Sequence, residues 1–248
     1  MQLQLLFSDI RHPENTFHNI YNILREKVGK AVVLHFQVTS DEARSIAAIT
    51  QSQAKSDVWH EERQWRLTSS RFGEIARCTG RRDYNKLCAN LFTPPELCTR
   101  PILHGRQYES KALVAFTKQT GLEVQKVGLI IDPSLPFLAA SPDGLVGTSH
   151  TVEVKCPYKA REKMIEPGAD FPFITVDMKL SRQHRYFDQV QGQMMLTKRQ
   201  SCYFVVYTFK DLKVLNVAYD HDYCHLSLLP KLKDFYEKFY RPYVAGTL

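Results

Sequence analysis

The sequence predicts an α/β fold in which helices flank a mixed central β-sheet, preceded by a helical N-terminal extension. Three observations carry that prediction. Residues 105–121 repeat apolar positions at helical spacing and stop at Gly121, a common helix terminator. Strand-like runs then crowd residues 123–156. A second helical stretch, 183–197, leads into two further strands at 202–209 and 214–219. Helix, strand hairpin, helix and strand in this order is the pattern of an α/β domain.

In chain order, residues 1–38 are the least readable. Phe17, Ile20, Ile23 and Leu24 have helical spacing, and residues 31–34 read as a short strand. Thr39-Ser-Asp-Glu42 is a capping box that opens a helix around Ala43, Ile46 and Ala47. A second helix is expected over 57–65. A third begins at Thr68-Ser-Ser70, with Phe72, Ile75 and Ala76 turned inward. Strands follow at 123–131, 136–146 and 151–156. Two proline breaks make 159–180 a long loop. The tail, with Leu229, Leu232, Tyr236 and Phe239, reads as an amphipathic helix. The helices over 39–76 read as an N-terminal lobe or extension.

Composition narrows the function classes. At 248 residues, 44% hydrophobic and 24% charged, the chain is that of a globular protein able to build its own core. Only 11 Gly and 12 Pro, with no biased run, exclude collagen-like and disordered classes. The longest apolar stretch, 202–209, falls far short of the ~18 residues a membrane span needs. Met1-Gln-Leu-Gln4 does not read as a signal peptide. An intracellular protein is expected, nuclear or cytoplasmic. Six cysteines without a Cys-x-x-Cys pair read mostly as small buried hydrophobes, and His221, Cys224 and His225 as a solvated segment. A net charge of +7 favours a polyanionic partner.

The chemistry concentrates in Ala140-Ser-Pro-Asp-Gly-Leu-Val146 and Val152-Glu-Val-Lys-Cys-Pro157. Period-two alternation puts Glu153 and Lys155 on one face of a strand, with Val152, Val154 and Cys156 on the other. Asp143, in a Pro-Asp-Gly turn, is placed to approach Glu153 across a hairpin. Two neighbouring carboxylates repel unless a cation joins them, and Mg²⁺ prefers such oxygen ligands together with phosphate and water. Lys155 would then offset developing negative charge. Glu109 lies at the edge of the apolar stripe of its helix, so a third carboxylate leans toward the sheet. Gln189 and Gln193 lean inward beside the stripe of Tyr186, Val190 and Met194.

In this order, Glu109, Ser141-Pro-Asp143, Glu153-x-Lys155 and Gln189-Val-Gln191 resemble the PD-(D/E)xK nuclease superfamily. The closer resemblance is to its YqaJ-type viral recombinase and lambda exonuclease family. It extends over about residues 57–210 and includes residues 63–76 and His104-Gly-Arg-Gln-Tyr-Glu109, which implies an extension over 1–55 and a nuclease domain over 56–248. The resemblance implies a restriction-endonuclease-like core using Mg²⁺ or Mn²⁺, two ions per site. Asp143, Glu153, the Val154 carbonyl and Glu109 would be the ligands, and Lys155 would position the attacking water. It further implies a 5′-phosphate pocket of Arg63, Ser70, Ser141 and Gln189. Ser70 at a helix start and the planar fork of Arg63 suit an anion on physical grounds as well.

The function expected is a metal-dependent deoxyribonuclease, a 5′→3′ exonuclease on double-stranded DNA in recombination or repair. The alternatives are a structure- or sequence-specific endonuclease and a catalytically silent DNA-binding module. Retention of Asp143, Glu153 and Lys155 together argues against the silent module. Expected partners are double-stranded DNA ends and a single-strand annealing protein, with no membrane. By resemblance alone, copies of the chain would form a ring trimer.

Overall fold

The computed structural model describes residues 37–95 and 98–247. The helix and strand read from residues 17–34 lie outside them. The first described helix, α1 (Ser40–Ile49), opens on the expected capping box. Glu42 N–H donates to Thr39 Oγ1 at 3.2 Å, and Thr39 N–H donates back to Glu42 Oε2 at 2.7 Å. Helices α2 (Asp57–Gln64), α3 (Ser69–Ala76) and α4 (Tyr84–Phe92) follow. The short strand β1 (Leu67–Thr68) between α2 and α3 pairs in parallel with β2 (Leu138–Ala139).

Helix α5 (Arg100–Thr120) starts earlier than expected. It ends where expected, at Gly121 in the left-handed conformation. The expected strand over 123–131 does not form and touches the sheet through two bridges, Gln125 with Leu145 and Ile130 with Ala140. Its backbone groups are satisfied elsewhere. Gln53 Nε2 donates to Val127 O at 2.9 Å and to Pro142 O at 3.0 Å, while Leu129 N–H donates to Thr50 Oγ1 at 2.8 Å. The expected 136–146 strand is split into β2 and β3 (Gly144–Val146) around Pro142, whose nitrogen has no proton to give a sheet ladder.

The main sheet has the order β3-β4-β5-β6, with β4 (His150–Lys155), β5 (Ser201–Tyr207) and β6 (Leu212–Ala218). The outer pairs are antiparallel and β4 with β5 is parallel, so the sheet is mixed as expected. A parallel neighbour requires a crossover. The loop over 159–180 and helix α6 (Arg185–Thr197) provide it. Ala112 and Phe116 of α5 share a core with Val152, Val154 and Val205 on one face. Val190 and Met194 of α6 cover Phe204 and Val206 on the other. Both faces of β4 are therefore covered, which explains its nearly unbroken burial.

A third core gathers Val38 and Ala43, the helices α2–α4, Leu138–Ala140 and the C-terminal helical stretch. That stretch, 223–247, includes α7 (Leu229–Phe235) and α8 (Arg241–Thr247) with π turns at Tyr223–Leu228 and Tyr236–Tyr240. The π turns shift the buried stripe, so Leu228, Leu232, Phe235, Tyr236, Tyr240 and Val244 all face inward. Among the described residues no helix is long and apolar enough to cross a membrane.

Candidate active site

Strand β4 turns Glu153 away from the α5 core and towards α6, where it is 3% exposed. A carboxylate this deep needs partners. Gln189 Nε2 donates to Oε1 at 2.6 Å and Gln193 Nε2 donates to Oε2 at 2.6 Å. The two glutamines stand one helical turn apart on α6, so their amides reach the same carboxylate. Lys155, on the same face of β4, pairs with Oε1 and lies 4.7 Å over the Tyr186 ring. Burial pushes the Lys155 ammonium down, but Glu153 and Asp143 outweigh it and hold the pKa above the ordinary lysine range.

Asp143 ends the loop before β3. Its N–H donates to Val152 O at 3.0 Å, and its Oδ2 accepts from Val154 N–H at 2.6 Å. The hairpin register thus brings Asp143 to β4, at the height of Glu153. Burial, then the charges of Glu153 and Glu109, push the Asp143 carboxyl well above the usual carboxylate range. Glu109, half-buried on α5, is pushed up by burial and by Glu153 and is partly relieved by Lys155. Asp143, Glu153, Lys155 and Glu109 therefore interact electrostatically at one site. Val154 joins them through its N–H. Cys156 beside them is pushed up to about 12 by burial and by Glu109 and Asp143, so it stays a thiol and makes a poor nucleophile.

The donor set suits a hard divalent cation. Among the described residues, Asp143 Oδ1 and both Glu109 oxygens lack a hydrogen-bond donor, and Glu153 Oε2 has only one. Mutual repulsion between these carboxylates is what a cation would relieve. Among the described residues, no three His, Cys, Asp or Glu side chains stand close enough together to hold a metal ion between them.

The residues assigned to the phosphate pocket are only partly drawn together. Arg63, on α2, lies 3.9 Å over the Trp59 ring, and Trp59 Nε1 donates to Ser141 Oγ at 2.8 Å. Arg63 and Ser141 thus share one indole, placed by the i, i+4 spacing of Trp59 and Arg63. Burial, and then the neighbouring Arg71, lower the Arg63 pKa to about 10. Ser70 lies in the first turn of α3, exposed, with its hydroxyl 3.4 Å from Thr68 Oγ1. Gln189 spends its amide on Glu153. Gln191 faces away, donating to Ala218 O at 2.9 Å and accepting from Asp220 N–H at 2.8 Å.

Sequence reasoning missed Trp59, which links Arg63 to Ser141, and Tyr186 as the ring over Lys155. Spacing from Arg63 was the available signal for Trp59; Tyr186 was hidden inside an apolar stripe. The reading of 221–225 as solvated holds for exposed His221 and fails for Cys224, which is fully buried.

A family model for the YqaJ-like viral recombinase domain matches residues 58–200. Among solved structures, the chain is similar to an alkaline exonuclease, LHK-Exo, from Laribacter hongkongensis. Identity is 24% and the TM-score 0.63, over 77% of this chain and 96% of the other. It is also similar to the protein in a SOX–DNA complex, at 13% identity and TM-score 0.58, over 94% and 79% of the two chains. The SOX–RNA complex of the Kaposi's sarcoma herpesvirus protein matches at 14% identity and TM-score 0.59, over 92% and 79%. At these identities the likeness establishes the fold alone, a restriction-endonuclease-like one. No curated protein matches.

Proposed function

The chain belongs to the YqaJ-like viral recombinase domain family, and from that premise we propose that it is a metal-dependent deoxyribonuclease. In this reading it degrades double-stranded DNA from 5′ ends in recombination or repair. The observation that carries the reading is Asp143 held beside Glu153 by the β3–β4 hairpin, with Lys155 paired to Glu153 and Glu109 near enough to repel both carboxylates. The likeness to an alkaline exonuclease and to a protein bound to DNA supports it.

The geometry is compatible with the following roles. Asp143, Glu153, Glu109 and the Val154 carbonyl would hold Mg²⁺ or Mn²⁺, two ions by family resemblance. A cation there supplies Lewis-acid polarisation of the phosphate oxygens. Gln189 and Gln193 hold Glu153 in one orientation, so its charge is aimed before substrate arrives. Lys155, kept protonated by Glu153 and Asp143, orients the attacking water and offsets the charge that grows on phosphorus oxygens. Arg63, with Ser70 and Ser141, receives the terminal 5′-phosphate.

Asp143→Asn tests this with the fold held constant. The amide oxygen still accepts from Val154 N–H, and one of three repelling charges is gone. The melting temperature of the metal-free protein should stay level or rise, while cleavage in Mg²⁺ falls by at least ~10³-fold. Cleavage by the wild type that continues unchanged in excess EDTA would refute the metal-dependent reading.

A further inference from the structure

Beside the carboxylates, aromatic rings gather at the C-terminal ends of β4 and β5. His104 and Tyr108 stand one turn apart on α5 with ring centroids 4.6 Å apart. Tyr158, just past β4, lies 5.5 Å from His104. Phe209, just past β5, lies 5.6 Å from His104 and 4.8 Å from Tyr108. Tyr108 adjoins Glu109 in sequence, and the pairing of Lys155 with Val206 puts Phe209 at the same end of the sheet as Lys155.

The cluster is closed beneath and open above. His104 is buried, whereas Phe209 is 40% exposed. Phe204, within β5, is fully buried, so the exposure of Phe209 comes from its place beyond the strand's end. That position is held firmly. Phe209 N–H donates to Arg161 O at 2.7 Å, and Thr208 N–H closes the following turn on Asp211 O at 2.9 Å.

Cations rim the rings. The Arg161 guanidinium lies 4.4 Å over Tyr158 and the Lys111 ammonium 4.7 Å over Tyr108. Lys210 follows Phe209. Among the described residues none of these three forms an ion pair with a carboxylate. A rigid, open aromatic face with uncompensated cations around it matches a flat base carried on a phosphate chain.

We propose that His104, Tyr108, Tyr158 and Phe209 form a stacking platform for an unpaired nucleobase of the DNA substrate, with Phe209 as its open face. The proposal deepens the nuclease reading and rests on it. The platform would hold the frayed end of the strand next to Glu109, so that Phe209 governs the capture of single-stranded ends.

The test uses a duplex whose unpaired terminal nucleotide is 2-aminopurine, mixed with the full chain in Ca²⁺ so that the strand stays uncut. Stacking on a ring quenches its fluorescence. Wild type and Phe209→Tyr should quench it. Phe209→Leu keeps apolar volume and removes the π face. It should lose quenching and bind about five- to hundredfold more weakly, with an unchanged melting temperature. Absence of quenching in the wild type would overturn the proposal, as would wild-type quenching and affinity in Phe209→Leu. Failure of the wild type to cut DNA in Mg²⁺ would instead remove the nuclease reading, and the quenching result would stand as evidence of binding alone.

Discussion

Lys155 and Glu153 show what one position in a strand can encode. Their shared face was legible because strand alternation is strict, and the structure turns both towards α6 as that rule requires. The glutamines that receive Glu153 were visible only as inward-leaning residues. Choosing Gln193 over Gln191 as the second partner needs the rotation of α6 about its own axis, which depends on packing. If Lys155 acts on the developing charge, Lys155→Ala should lower kcat with little change in DNA affinity. Single-turnover kinetics beside a binding titration separates these; a loss of affinity at constant kcat would make Lys155 a phosphate anchor. Arg63 is the other residue with a separable role. A terminal phosphate carries nearly one more charge than an internal diester, and a half-buried fork discriminates between them. Wild type should therefore cut 5′-phosphorylated duplex roughly ten- to hundredfold faster than 5′-hydroxyl duplex. Arg63→Ala should shrink that ratio mainly by slowing the phosphorylated substrate. Equal initial rates on both ends for the wild type would remove the pocket from the account.

At the scale of elements, α3, which carries Ser70, packs against α6, whose Gln189 and Gln193 hold Glu153. The two helices cross closely because two glycines let them. A Cβ on Gly73 would stand 2.5 Å from Arg185 Cβ, and one on Gly192 would stand 2.3 Å from the Phe72 ring. The Gly73 neighbour is backbone and Cβ, which cannot swing aside, so Gly73→Ala must push the helices apart. Overpacking of this kind costs about 1–3 kcal/mol. The melting temperature should drop by roughly 2–12 °C for a chain of this size. An unchanged melting curve would show that the crossing is looser than described. Helix ends were the most legible features, since Thr39 and Gly121 carry their own capping chemistry. The expected strand at 123–131 was the least. Its apolar pattern is genuine, with Val127, Leu129 and Ile131 buried, but Thr50 and Gln53 take the hydrogen bonds that a neighbouring strand would have taken. Such long-range side-chain partners leave no periodic trace in a sequence.

For the whole molecule, the order of helices and strands along the chain carries the layers, a mixed sheet with helices on both faces. The domain boundary near residue 55 followed the start of the resemblance. In the structure, Val38 and Ala43 pack into the same core as Trp65 and Phe72, so residues from 38 onward share the interior of the main body. Core membership of that kind follows from three-dimensional neighbours, which family resemblance over 57–210 did not include. The net charge of +7 suits a polyanion without selecting one. The central claim is metal-dependent attack from DNA ends, and one digestion tests it. Linear 5′-phosphorylated duplex and covalently closed circles of the same sequence are incubated with wild type, in Mg²⁺ and in EDTA. The account requires the linear DNA to disappear in Mg²⁺ alone while the circles persist. Circles cut as fast as linear DNA, or linear DNA lost equally in EDTA, would contradict it.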